Sequence, residues 1–116
     1  RYFVKNSNLC LIKILKEIKA LVIEFNHDKK MLSNSDYPQS LKDRVSGMYG
    51  HLENMESVKL IKSINHTGIK WIAAAHLSEK NNDENLVRRL ISDATLKEKG
   101  MIKIIDQKRG MDWLNI

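Results

Sequence analysis

The chain has 116 residues, of which 42% are hydrophobic and 29% are charged, and its formal net charge at pH 7 is +6. This length allows one modest domain, which we expect to span residues 1–116, and the composition is that of an ordinary globular protein. No apolar run approaches the roughly 20 residues of a membrane-spanning helix, and no signal-peptide pattern is present, so we expect no membrane segment. A lone cysteine, Cys10, cannot form an intrachain disulfide and fits a reducing, cytoplasmic setting.

The first half of the chain predicts a helix, a buried strand and a second helix. Residues 9–18 carry apolar side chains near helical spacing, with lysines off that stripe. Residues 20–25 are apolar, rich in β-formers and too short for a helix, and the polar segment 26–28 follows them. A polar connection over residues 29–37 leads to the only proline, which suits the first turn of a helix over residues 38–45.

The second half predicts two more helices, each followed by a strand. Glycines in the segment 47–50 break the chain, after which Glu53 or Asn54 can cap a helix that ends near Ile64. The apolar run 71–75 predicts the central buried strand, and the polar loop after it leads to a helix that ends before Gly100. A last, half-buried strand is predicted over residues 101–106. This alternation predicts an α/β fold with a small, mostly parallel or mixed sheet and helices packed on one side.

Titratable side chains follow or precede the apolar segments. Glu24, His27 and Asp28 end the first strand, His51 precedes a helix, and His76 directly follows the central strand. Two adjacent parallel strands would bring these groups to one rim of the sheet, where α/β proteins present reactive side chains. The placement suits metal or acid–base chemistry, but the residues alone slightly favour a structural His76 that hydrogen-bonds its own loop. No glycine-rich phosphate loop, nucleophile elbow or paired cysteine set occurs in the sequence.

One dense basic region lies near the carboxyl end, and an apolar tail follows it. The region comprises Lys97, Lys99, Lys103, Lys108 and Arg109, interrupted by Glu98 and Asp106. The positive charge permits binding of nucleic acid or another acidic partner, although a solvated surface is the interpretation that the diffuse charge favours. The tail contains Trp113, Leu114 and Ile116, which are apolar enough to need a partner surface.

Four segments, in this order, resemble the metallo-β-lactamase fold and in particular the phosphodiesterase and nuclease-like hydrolases of bacteria and phages. They are Ile23-Glu24-Phe25-Asn26-His27-Asp28, then Tyr37-Pro38 to Arg44, then Tyr49-Gly50-His51-Leu52, then Ala75-His76-Leu77-Ser78 with Asn81-Asn82. The resemblance covers most of residues 20–95. It implies a partial metallo-β-lactamase-like half-sandwich that corresponds to the carboxyl-terminal half of the fold.

The resemblance also implies roles for individual residues. Members of this family hold two metal ions, usually zinc or manganese, between two sheets. His76 matches a histidine that ligates the second metal. His51 matches a histidine that assists proton delivery to the leaving group, and Glu24 matches the acidic residue that supports it. His27 and Asp28 would be structural groups or would support the metal ligands from outside the coordination sphere.

Two departures from the family pattern affect what can be expected. The serine expected after His51 and Leu52 is Glu53, which changes the helix cap and brings an added negative charge toward the site. The principal metal box, His-x-His-x-Asp-His, is absent, and the metal-bridging aspartate would be expected just upstream of Arg1. One matched histidine does not hold a metal pair, so we expect this chain alone to bind zinc or manganese weakly and to have no catalytic activity.

Three functions are compatible with this sequence. The favoured hypothesis is a shortened, inactive relative that binds a protein or nucleic-acid machine, for example an anti-CRISPR-like phage inhibitor. The alternative is the carboxyl-terminal half of a metal-dependent phosphodiesterase or nuclease, and the third is a remnant without an independent role. A half-sandwich leaves one sheet face apolar, so under each hypothesis we expect a protein partner or a second copy to cover that face.

Overall fold

The structure is a computed structural model that describes residues 19–64, 68–95 and 99–105. Several predictions fall outside the described residues. These are the first helix with Cys10, the side chains of Lys97, Lys99, Lys108 and Arg109, and the apolar tail with Trp113, Leu114 and Ile116. Within the described ranges, every helix is too short or too polar to cross a membrane.

The described chain alternates between strands and helices, as the sequence predicts. In chain order the elements are β1 (Ala20–Glu24), α1 (Lys29–Ser33), α2 (Gln39–Ser46), α3 (Asn54–Ser63), β2 (Trp71–Ala75), α4 (Glu84–Thr95) and β3 (Ile102–Ile104). The three strands form one sheet in the order β1-β2-β3, and both pairs are parallel. The predicted α/β class is therefore confirmed, and the small sheet is parallel in its described part.

The hydrophobic core lies between one face of this sheet and the two longest described helices. Leu21 of β1 is in register with Ile72 of β2, which is in register with Ile102 of β3. All three side chains are buried, and alternate residues of a strand point to the same face. They pack with buried residues of the two helices, which include Val58, Leu60 and Ile61 of α3 and Val87 and Ile91 of α4. The prediction of helices on one side is thus confirmed for α3 and α4.

Residues 29–37 were predicted to form a polar connection, and the structure shows a short helix at their start. They begin with the five-residue helix α1, whose N-cap is Asp28. The Asp28 Oδ2 atom accepts a hydrogen bond from the Met31 N–H group at 3.0 Å, and Leu32 is buried. A helix this short has too few residues to show an apolar period in the sequence. Its formation depends on the cap and on one buried side chain.

Candidate active site

The candidate site lies at the rim where β1 and β2 end. Glu24 is in register with Ala75, and the following Phe25 N–H group donates to the Ala75 carbonyl at 3.0 Å. Asn26 then joins two other segments, because its N–H group donates to the Leu52 carbonyl at 3.0 Å and its carbonyl accepts from the Ser78 N–H group at 2.7 Å. The predicted meeting of both strand ends at one rim is therefore found, and the segment before α3 joins them there.

The side chain of Glu24 is the centre of this rim. Glu24 is 8% exposed, and its Oε1 atom lies 2.6 Å from the Nδ1 atom of His51. The same Oε1 atom lies 3.7 Å from the Nδ1 atom of His76. Its Oε2 atom accepts a hydrogen bond from the Leu52 N–H group at 3.1 Å. One buried carboxylate thus faces two imidazole rings and a backbone donor, an arrangement that satisfies its charge.

Both imidazoles turn the same nitrogen toward Glu24. Because Nδ1 faces the carboxylate in His51 and in His76, the Nε2 atom of each ring lies on the side away from it. About half of each side chain is exposed, 52% for His51 and 49% for His76. A carboxylate at one ring nitrogen fixes the tautomer and the orientation of a histidine whose other nitrogen does the chemistry. The Glu24 Oε1 atom orients the His51 ring in this way at 2.6 Å, whereas its 3.7 Å separation from the His76 Nδ1 atom is beyond hydrogen-bond distance.

The backbone of His76 has a conformation that side-chain-bearing residues adopt only rarely. Its φ angle is 59°, in the left-handed region. The Asn26 Nδ2 atom donates a hydrogen bond to the His76 carbonyl at 2.9 Å and so helps to hold this conformation. Left-handed backbone at non-glycine residues is enriched at functional sites, where the surrounding structure compensates its cost, and histidine adopts it more readily than most residues.

His27 and Asp28 belong to the framework beneath the rim. His27 is 1% exposed, and its Nδ1 atom donates to the Asn26 Oδ1 atom at 3.1 Å. Its backbone forms a bridge with Glu53, and its carbonyl accepts from the Asn54 N–H group at 2.9 Å. Asp28 caps α1. These contacts give both residues structural partners, and their roles beside a metal stay predictions.

Glu53, which stands where the family resemblance leads one to expect serine, caps α3. Its Oε2 atom accepts hydrogen bonds from the Met55 and Glu56 N–H groups, so the prediction that it could cap this helix is confirmed. A carboxylate is favourable at a helix N-terminus because the exposed N–H groups there carry partial positive charge. The side chain lines the same cleft as His27, whereas His51 lines a different one.

A pair of buried asparagines was not recognised from the sequence. The side-chain amides of Asn54 and Asn82 bond to each other reciprocally, with N–O distances of 2.8 and 3.0 Å. The Asn82 Nδ2 atom also donates to the Phe25 carbonyl at 2.8 Å. This pair ties the loop after β2 to α3 and to the end of β1. The two residues are 28 positions apart and meet only in the folded chain. From the sequence, each asparagine indicates only a possible helix cap.

The described residues do not form a complete metal site. Within the ranges 19–64, 68–95 and 99–105, no group of three or more His, Cys, Asp and Glu side chains is placed to hold an ion. The Glu24 carboxylate faces the Nδ1 atoms of His51 and His76. His76 can therefore supply one metal ligand, whereas a complete zinc site needs three or four. Weak metal binding by this chain alone stays a prediction.

One side chain of the predicted basic cluster is described by the structure. It is Lys103, which lies in β3 and is half-buried.

Comparisons with known proteins relate the chain to DNA-degrading enzymes. It is 37% identical over 87 residues to the exodeoxyribonuclease YycJ of Bacillus anthracis, a match that covers 75% of this chain and 33% of the relative. It is 32% identical over 73 residues to the exodeoxyribonuclease WalJ of Streptococcus pneumoniae, covering 63% of this chain and 27% of the relative. No protein-family model and no solved structure matches.

The chain thus spans about a third of the length of the curated relatives it matches. Over that part it is homologous to proteins named exodeoxyribonucleases, which agrees in part with the resemblance to nuclease-like hydrolases. These matches favour the nuclease alternative over the binding protein that the sequence alone favours. Neither the structure nor the comparisons offers an observation for an anti-CRISPR or phage role.

Proposed function

We propose that this chain is the part of a metal-dependent DNA exonuclease that carries its proton-delivering histidine and one metal-binding histidine. The observation that carries the proposal is the buried Glu24 carboxylate, which faces the Nδ1 atoms of both His51 and His76. The named relatives and the resemblance to metallo-β-lactamase-fold hydrolases support the choice of reaction, which is hydrolysis of a phosphodiester bond.

His51 is suited to deliver a proton. When its Nδ1–H group donates to Glu24 at 2.6 Å, the ring is held in one orientation. The Nε2 atom, on the other side of the ring, would then give its proton to the leaving oxygen as the phosphorus–oxygen bond breaks. General acid catalysis of this kind typically contributes about 10²–10⁴-fold to a rate.

His76 is suited to supply one metal ligand. Histidines that bind metals usually pair their second ring nitrogen with a carboxylate or a carbonyl, and Glu24 lies 3.7 Å from that nitrogen. The left-handed backbone at His76 sets where the ring projects from the strand end. The remaining ligands must come from outside the described residues, because these do not form a complete site.

A chimeric enzyme tests the proposal. In the exodeoxyribonuclease of Bacillus anthracis, the segment that matches this chain is replaced by the corresponding part of this chain, and degradation of linear DNA is followed with manganese or zinc. We expect metal-dependent degradation. Changing His51→Ala should lower the rate by about 10²–10⁴-fold, since the general acid is removed. Glu24→Gln should lower it by less, because a neutral amide still contacts the ring.

The matched control is Lys59→Gln, an exposed position on α3 that does not line the cleft next to His51. This variant should keep the activity of the chimera. A chimera that folds and binds metal but degrades no DNA would contradict the proposal. So would a His51→Ala chimera that is as active as its parent.

A further inference from the structure

A cleft of about 340 Å³ opens beside His51. Tyr37, Val45 and His51 line one part of it, and Glu79, Lys80 and Asn81 of the loop after β2 line another. Its volume is at the lower end of the range for small-molecule pockets, about 300–1,000 Å³. The cleft therefore has room for one small ligand in contact with the proposed proton donor.

Hydrogen bonds between backbone groups fix both walls of this cleft. The His51 N–H group donates to the Val45 carbonyl at 2.8 Å, which holds the turn after α2 against the site. The Asn81 carbonyl accepts from the Asp28 N–H group at 2.8 Å, which holds the opposite loop against the end of β1. A pre-formed cleft of this kind binds a ligand with little cost in ordering.

One acceptor in the wall has no hydrogen-bond partner among the described residues. Asn81 is 2% exposed, and its Oδ1 atom is buried with no hydrogen bond to any described group. Buried polar atoms without a partner are rare in native proteins because they lose their hydrogen bonds to water and gain none in return. The Asn81 Oδ1 atom is therefore an acceptor that the described residues leave unused, although it has no exposed surface in the cleft.

We infer that the cleft holds the terminal nucleotide of a DNA strand, an assignment that rests on the proposed function and adds a substrate subsite to it. The Tyr37 ring offers a stacking surface for the base, an interaction that tolerates any base because each has a π-face. Lys80, which is exposed and lines the cleft, supplies a cation for the phosphate. Glu79 lines the same cleft, and its negative carboxylate repels the phosphate.

Titration of the 116-residue chain with deoxyadenosine monophosphate and with a short oligodeoxyadenylate tests this assignment. Amide chemical shifts measured by NMR report both where each probe binds and how tightly. We expect shifts around the cleft and binding weakened about 5- to 150-fold in Tyr37→Ala, the range expected when one base no longer stacks on an aromatic ring. Lys80→Gln should weaken binding and reduce the salt slope by about 0.7, and Glu79→Gln should strengthen binding.

The matched control is Tyr49→Ala, because Tyr49 is 99% exposed and does not line the cleft. Tyr37→Phe keeps the ring and should bind like the parent chain, which separates stacking from a folding defect. Equal binding by Tyr37→Ala, or equal weakening by Tyr49→Ala, would overturn the assignment. If the chimeric nuclease degrades DNA while neither probe shifts the cleft, this subsite is wrong and the proposed function stands. If the cleft binds both probes while the chimera stays inactive, the proposed function is wrong and the nucleotide site stands.

Discussion

The Nδ1 atom of His51 lies 2.6 Å from the Oε1 atom of Glu24, although 27 positions separate the two residues. The second carboxylate oxygen of Glu24 accepts from the Leu52 N–H group, so one side chain fixes both the imidazole and the backbone beside it. The end of β1 is thus joined to the start of α3 by a group that also belongs to the proposed catalytic machinery. Stability and function are therefore coupled at Glu24.

Replacement of Glu24 should measure this coupling. In Glu24→Ala the buried Leu52 N–H group loses its acceptor, which should lower the free energy of unfolding by about 1–3 kcal/mol. Glu24→Gln keeps an oxygen for that donor and should cost less. Urea denaturation of the three chains gives the values, with Glu79→Ala as the control because that carboxylate is exposed. Equal stability of Glu24→Ala and the parent chain would show that the hydrogen bond adds nothing.

The asparagine pair should behave as a single unit. Asn82→Ala leaves the buried amide of Asn54 without its partner and removes the donor to the Phe25 carbonyl. We expect a decrease in stability of about 1–3 kcal/mol for each group left unpaired. A double-mutant cycle with Asn54→Ala should show the second change costing much less than the first. Asn85→Ala, at an exposed asparagine of α4, is the control, and additive effects in the cycle would contradict the network.

Gly50 is required by the close approach of the turn to α2. A Cβ atom at this position would lie 2.3 Å from the carbonyl oxygens of Arg44 and Val45, both of which are backbone atoms. Gly50→Ala must therefore shift the turn that carries His51, at a cost of about 1–3 kcal/mol. Gly68→Ala is the matched control, because nothing lies within 4 Å of a Cβ atom there. Thermal unfolding compares the two variants, and equal midpoints would refute the steric argument.

The sequence predicted the elements that local patterns determine. The apolar runs 20–25 and 71–75 are too short for helices, and both are strands whose observed bounds lie within one residue of the prediction. Their parallel pairing follows from a connection long enough to contain helices. This pairing places Glu24 beside Ala75, one residue before His76, which is why their meeting at one rim could be predicted.

The remaining features depend on interactions between distant segments. The reciprocal bonds of Asn54 and Asn82 exist only after α3 and the loop after β2 have packed, so no local pattern indicates them. The left-handed backbone of His76 is held in part by Asn26, 50 residues away in the chain. Helix α1 has five residues and one buried side chain, which gives no period to detect.

Metal binding by the chain alone should be weak. His76 with its supporting carboxylate offers one ligand position, whereas zinc sites in proteins use three or four protein ligands. We expect substoichiometric zinc and manganese in elemental analysis of protein purified without chelator. Titration calorimetry should give no submicromolar site, while the chimeric nuclease should have one. Stoichiometric metal bound with submicromolar affinity by this chain would show that the missing ligands lie within it.

The basic cluster makes a separate, electrostatic prediction. Replacing Lys97, Lys99, Lys103, Lys108 and Arg109 by glutamine removes five positive charges from a chain whose formal net charge is +6. If this surface binds DNA, the salt slope of binding should fall by about 0.7 for each phosphate of a single strand that the protein no longer neutralises. Binding isotherms of a single-stranded oligonucleotide at several salt concentrations give that slope.

The control for this prediction removes the same charge elsewhere. Lys29, Lys30, Lys59, Lys62 and Lys70 are all exposed and lie outside the cluster. Their replacement by glutamine should change the salt slope less if DNA contacts the basic cluster itself. If only the net charge of the chain attracted DNA, both sets of replacements would change the slope equally. His51→Ala and His76→Ala should leave the slope unchanged. If the histidine variants no longer bind while the cluster variant still does, the rim around Glu24 is the DNA-binding surface and the basic cluster is a solvated face.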